Sequence, residues 1–150
     1  MDIKLDLLDM TFEELTEAIA GLGFKPFRAK QVYQWLYSGQ LDFMGMSNLP
    51  KEMREKLSEN FTAGGLKIKE RLISSIDGTR KYLFELRDGN IIESVLMKYR
   101  YGYSACLSTQ VGCRMGCAFC ASAPLGLVRS LTVGEMLGEI LSITHDIGER

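Results

Sequence analysis

Residues 111–120 read VGCRMGCAFC and set three cysteines, Cys113, Cys117 and Cys120, at spacings of four and then three. Thiolates this close along a chain suit a metal centre, because one short loop can bring them together. A closed tetrahedral zinc site takes four ligands, usually from two separated C-x-x-C pairs, and the second pair is missing. Cys106 lies seven residues upstream of Cys113 in a strand-like stretch, and the single histidine, His145, lies far downstream. Iron–sulfur clusters also favour thiolate cages. Three thiolates on a four-iron cluster leave one iron open, which is a deficiency in an electron carrier and an opening for a catalyst that must grip its substrate. An iron–sulfur loop is the leading expectation, with zinc and inert buried thiols as the alternatives.

Thiols stay reduced only in a reducing compartment, and the composition agrees with one. The chain has 150 residues, 46% hydrophobic and 25% charged, as in ordinary globular domains. Its net charge of −1 excludes a uniformly basic nucleic-acid binder while leaving room for a local basic patch. No apolar run reaches the ~18 residues of a membrane span. The N-terminus, MDIKLDLLDM, carries acids where a secretion signal carries bases. A cytoplasmic protein with no membrane partner is expected.

Several elements must position the loop. Thr11 and Glu14 make a capping box ahead of an apolar stripe of Phe12, Leu15, Ile19 and Leu22. A second helix is expected over 27–37 with Phe27, Val32 and Leu36 facing inward, and a third from Pro50 with Met53, Leu57 and Phe61 on one side. From Leu66 the apolar period changes to two. Leu66, Ile68, Leu72 and Ile76 are expected on one face of a strand ending at Asp77-Gly78, and Tyr82, Phe84 and Leu86 on a second ending at Asp88-Gly89. Further strands are expected over 91–98 and 103–111. A capping box at Thr132 and Glu135 then opens a helix with Val133, Met136, Leu137, Ile140 and Leu141 buried. The fold class is α+β: a helical bundle over 1–64, an antiparallel meander over 65–103 and a further unit from 104 to 150. Ending so soon after the loop, the chain reads as the front of something larger, with roughly the last 35 to 40 residues poorly anchored.

The pattern C-x-x-x-C-x-aromatic-C, with Phe119 as the aromatic residue, resembles the signature of the radical S-adenosylmethionine (SAM) superfamily. The flanking segments narrow the resemblance. KPFRAKQVYQWLY at 25–37, NLPKEMREKL at 48–57, SSIDGTRKYLFELRDGNIIESVLM at 74–97 and SACLSTQVGCRMGCAFCASAPLGLVRSLTVGE at 104–135 resemble the N-terminal portion of the RlmN/Cfr family of RNA adenine methyltransferases. The resemblance implies that residues 104–150 begin a radical SAM (β/α) barrel. It implies that Cys113, Cys117 and Cys120 hold a [4Fe–4S] cluster whose open iron chelates SAM, with Phe119 shielding the cluster. It also implies methylation of adenine C2 in large-subunit ribosomal RNA and in tRNA, through a methyl-cysteine and with an electron donor such as flavodoxin. Methylation at C8, as in the related branch, is the alternative within the enzyme class. A non-catalytic RNA- or protein-binding module with a zinc or metal-free loop is the alternative outside it.

The same resemblance assigns roles to individual residues. Glu93 matches the general base that removes the C2 proton. Strand alternation sets it with Ile91, Val95 and Met97, on a face where burial would raise its pKa; the plain alternative is a sheet-edge glutamate turned to water. Cys106, beside Ser104 and Ser108, matches the cysteine that releases the product by forming a disulfide with a second cysteine near the family's C-terminus. Lys25, Arg28 and Lys30 are candidate RNA contacts, accompanied by Phe27, Tyr33, Trp35 and Tyr37, although most of these rings read as core. Arg114 and Arg129 flank the loop as further candidates. The glycine-rich SAM-binding segments and the methyl-carrying cysteine of the family have no match in residues 1–150, so the chain alone is not expected to complete the reaction.

Overall fold

The computed structural model describes residues 4–121 and 123–148. The helical unit opens on a two-residue strand, β1 (Leu5–Asp6), and a 3-10 turn (Leu7–Asp9). Three helices follow, α1 (Phe12–Gly21), α2 (Phe27–Tyr37) and α3 (Lys51–Asn60). Thr11 caps α1 through the expected box: its side chain accepts from the Glu14 amide, and Glu14 accepts from the Thr11 amide. A second short strand, β2 (Phe61–Thr62), pairs in parallel with β1 and ties the end of the bundle to its beginning. Leu15, Ile19, Val32, Leu36, Met53 and Leu57 are buried at the centre. Phe12 and Phe27 are the exceptions to the expected pattern, 42% and 56% exposed. Ala29, Val32 and Leu36 form the inward stripe of α2, and Phe27 lies half a turn away on the opposite side.

Four antiparallel strands form the meander, in the order β3 (Lys67–Ile73), β4 (Arg80–Glu85), β5 (Ile91–Tyr99) and β6 (Gly102–Cys106). Tyr82, Phe84 and Leu86 are buried as expected, and opposite them so are Ile92, Ser94 and Leu96. The face expected for Leu66, Ile68, Leu72 and Ile76 does not form, because β3 is exposed along its whole length. It is the edge strand, with a register shift between Ile68 and Glu70 that breaks the alternation. Ile76 falls in the turn that follows.

The strand expected over 103–111 divides after Cys106. The chain leaves the sheet at Leu107 and enters a separate hairpin of β7 (Gln110–Gly112) and β8 (Leu127–Ser130), with the cysteine loop between its strands. The Ser108 amide donates to the Glu139 carboxylate at 3.0 Å, which draws this stretch toward the last helix, α4 (Val133–Ile147).

That helix lies between the bundle and the sheet. The expected capping box at Thr132 and Glu135 forms, but the buried face is rotated: Val133 and Ile140 are exposed, while Gly134, Gly138, Glu139, Leu141 and Ile143 are buried. Leu141 joins the helical core and Ile143 the sheet core, so α4 has two buried sides where one was expected. Helix α4 is anchored in both cores, whereas the cysteine loop before it is largely exposed. Among the described residues no helix is long and apolar enough to cross a membrane.

Candidate functional site

Gly112 sets the root of the cysteine loop. Its φ is +73°, and an added Cβ would lie 1.8 Å from the Gly126 carbonyl oxygen, so no other residue fits where β7 leaves β8. The Cys113 amide donates to that same carbonyl at 2.9 Å. Inside the loop, the Met115 amide points at Cys113 Sγ at 3.5 Å, and the Cys120 amide donates to the Cys117 carbonyl at 3.1 Å. Gly116 permits the turn between them with φ +65°. Cys113 and Cys120 are half-buried, Cys117 is exposed, and all three are free thiols.

The donor set suits an iron–sulfur cluster. It consists of thiols alone, with a backbone N–H aimed at one sulfur. Among the described residues no three His, Cys, Asp or Glu side chains converge tightly enough to hold a single ion. Phe119 is 93% exposed, so it does not pack in the core.

Glu93 departs from expectation. The face of β5 that α4 covers carries Ile92, Ser94 and Leu96, which leaves Glu93 on the opposite, open face with Lys81 Nζ 2.9 Å away. Strand alternation correctly grouped Glu93 with Val95 and Met97 but could not tell which side the helix would cover. Cys106 pairs with Val95 across the sheet, so it shares that open face and is likewise exposed. The Ser108 hydroxyl donates to the Glu93 carbonyl at 2.7 Å, joining the two strands next to both residues. Glu93 and Cys106 therefore occupy one solvent-facing sheet surface, and the thiol loop follows two short segments later. A cleft of about 470 Å³ between the bundle and the sheet, walled by Phe43, Phe61, Leu66 and Arg87, contains none of these residues.

The buried acid in this region is Glu139, which the sequence reading missed. Its side chain is fully enclosed, accepts from the Ser94 hydroxyl and the Ser108 amide, and leaves Oε1 without a partner among the described residues. Burial pushes its carboxyl above the usual range, against the lowering effect of these two hydrogen bonds. A glutamate one turn from Glu135, between Gly138 and Ile140, was the available signal.

Arg129, a candidate for nucleic-acid contact, is already committed. Its guanidinium meets Asp88 at 2.7 Å and Glu135 through two bonds of 2.7 and 2.8 Å. Its hydrogen bond holds the Asp88 carboxyl down to about 2. Arg114 is exposed. Lys25 and Lys30 are exposed beside the exposed rings of Phe27 and Tyr37, whereas Tyr33 and Trp35 pack against the helical core. Arg28 lies over the Phe27 ring at 4.9 Å and donates to Gln31 at 2.7 Å.

The whole architecture matches a solved one. A radical SAM methyltransferase from Sphaerobacter thermophilus superposes with a TM-score of 0.90 at 36% identity, over 96% of this chain and 42% of that one. The chain therefore has the fold of the N-terminal portion of a radical SAM methyltransferase. Residues 5–63 match the family model of the ribosomal RNA large subunit methyltransferase N-terminal domain. Proteins named "Probable dual-specificity RNA methyltransferase RlmN" are similar over nearly the whole chain: 53% identical across 147 residues in Alkaliphilus oremlandii and 51% across 146 in Clostridium botulinum. The chain spans 43% of the length of each. The resemblance to the N-terminal portion of the RlmN-type methyltransferases thus holds from end to end of this chain.

Proposed function

We propose that this chain is the N-terminal part of a cytoplasmic radical SAM enzyme that methylates C2 of an adenine in large-subunit ribosomal RNA and in tRNA. The observation carrying the reading is the all-thiol loop on the glycine root at Gly112, within a fold shared with a radical SAM methyltransferase. Adenine C2 is an aromatic carbon without nucleophilic character, and a [4Fe–4S] cluster with SAM supplies the one-electron chemistry such a carbon needs.

Cys113, Cys117 and Cys120, as thiolates, would hold three irons, and the loop's exposure leaves room for the fourth to take SAM. Glu93, on the open face of the sheet, would accept the proton leaving C2. Lys81, 2.9 Å away, would orient that carboxylate until the base arrives. Cys106, on the same face, would give up its thiol proton and attack the sulfur of the family's second cysteine, which would hold the base through a methylene carbon; the S–S bond would form as that S–C bond breaks, and the carbon would take a proton to leave the methylated base. An exposed thiol suits that exchange better than a buried one. Lys25 and Lys30 would add phosphate contacts from the helical unit, and a flavodoxin-type protein would supply the electron.

Anaerobic reconstitution with iron and sulfide tests the reading. About four irons per chain with visible charge-transfer absorbance are expected, both lost when Cys113, Cys117 or Cys120 becomes alanine. One zinc per chain, or a colourless product, would instead favour a non-catalytic binding module.

A further inference from the structure

Between β5 and β6 the chain reads KYRYGY over residues 98–103, a stretch to which the proposed mechanism gives no task. Tyr99 and Tyr101 stack with centroids 5.1 Å apart and planes within 6°. They are nonetheless 46% and 81% exposed. Aromatic pairs usually stabilise a hairpin by bridging its strands, but Tyr99 ends β5 opposite Gly102 and Tyr101 lies in the turn itself, so this stack joins no strand pair. The stack therefore presents a flat, preformed ring surface to solvent.

Along the chain, the charge of this stretch is one-sided. Residues 94–134 contain four cations, Lys98, Arg100, Arg114 and Arg129, and no acid, so every acid of the chain lies elsewhere. Arg129 is neutralised by Asp88 and Glu135. Among the described residues Lys98, Arg100 and Arg114 form no ion pair; Lys98 lies 5.6 Å over the Tyr103 ring. Cations beside an exposed ring stack are the chemistry of single-stranded nucleic-acid binding, in which bases stack on rings and phosphates meet Lys and Arg.

Position ties this surface to the site. Tyr99 has the same strand parity as Glu93, Val95 and Met97, and its hydroxyl reaches Met97 Sδ at 3.5 Å, so it closes the far end of the open face. Four residues of β6 separate the turn from Cys106, on the order of 14 Å at strand rise.

We propose that the hairpin tip at residues 98–103 is a stacking platform for an unpaired base of the RNA strand flanking the reacting adenine, with Lys98 and Arg100 on its phosphates. This rests on the reading that the chain acts on RNA.

Fluorescence anisotropy of the full chain with a short fluorescein-labelled oligoadenylate tests both ideas separately. Tyr101→Ala should weaken binding about tenfold, the size of one lost base–ring stack, while Tyr101→Phe stays within about twofold because the ring face remains. Replacing Lys98 and Arg100 together by glutamine should flatten the salt slope by about 1.4. Tyr101 is largely exposed, and matching far-UV circular dichroism verifies that each variant folds. Unchanged affinity in Tyr101→Ala overturns the platform and leaves the RNA reading standing. Equal losses in the alanine and phenylalanine variants overturn stacking in favour of a hydroxyl contact. A wild-type chain that binds no oligoadenylate overturns both ideas. Concentration-dependent self-association abolished by Tyr101→Ala would make the tip a contact between copies and overturn the platform.

Discussion

Glu139 is a buried carboxyl whose charged form is costly. It holds the Ser94 hydroxyl and the Ser108 amide, so replacing it by alanine strands two buried donors and should cost about 1–3 kcal/mol in denaturant titrations. Its pH behaviour follows from burial, with Glu135 adding like charge nearby. Because the folded carboxyl titrates above the ordinary value of 4.5, the folded chain keeps a proton that the unfolded chain releases. Stability from this group is complete below that value and declines as pH rises through the folded one. Glu139→Gln should therefore gain Tm relative to wild type as pH is raised from about 4.5 toward neutrality. Asp88 has the opposite sign. Held down to about 2 by Arg129, it contributes stability above its ordinary value of 3.8 that is lost as pH falls through about 2, and Arg129→Gln should remove that acid dependence. The pair is partly exposed, so salt should weaken the effect.

Two glycine pairs show how elements are brought together. Gly138 on α4 approaches Gly64 so closely that an added Cβ would lie 2.9 Å from the Gly64 carbonyl oxygen and 3.0 Å from Leu66 Cδ1. Alanine in mid-helix ordinarily gains up to about 1 kcal/mol over glycine. Here overpacking against backbone should reverse the sign and cost about 1–3 kcal/mol, read as a fall in Tm of Gly138→Ala. In the cysteine loop, Gly112→Ala meets the Gly126 carbonyl, whereas Gly116→Ala meets nothing within 4 Å and carries only the strain of its positive φ. Iron loading should therefore fail in Gly112→Ala and survive, weakened, in Gly116→Ala. Both loop glycines were legible as turn residues in the sequence. Only the packing ranks one above the other.

The two cores are joined through α4. Leu141 enters the helical core, Ile143 enters the sheet core, and Asp146 accepts from Arg71, Arg80 and the Tyr82 hydroxyl on the sheet. A helix gripped on both sides couples the stability of what it touches. The single tryptophan, Trp35, belongs to the helical unit and reports on it selectively. Ile143→Ala removes a side chain from the sheet core alone, yet should lower the midpoint of the Trp35 fluorescence transition in step with far-UV circular dichroism, the loss of stability being about 2–5 kcal/mol. A Trp35 midpoint that does not move would mean that the two cores unfold independently.

The boundaries of α1, α2 and α3, both capping boxes and the turns at Asp77-Gly78 and Asp88-Gly89 were readable along the chain, because caps, turn residues and helical periodicity act between neighbours a few positions apart. The thiol loop was readable for the same reason: its chemistry lies in residue identity and short spacing. The sides of β5 and α4 were not, since periodicity divides residues into faces without saying which face another element will cover. Burial of Ser94 and Glu139 and exposure of Glu93 and Cys106 all follow from where α4 packs on the sheet, a choice made by contacts between residues 45 positions apart.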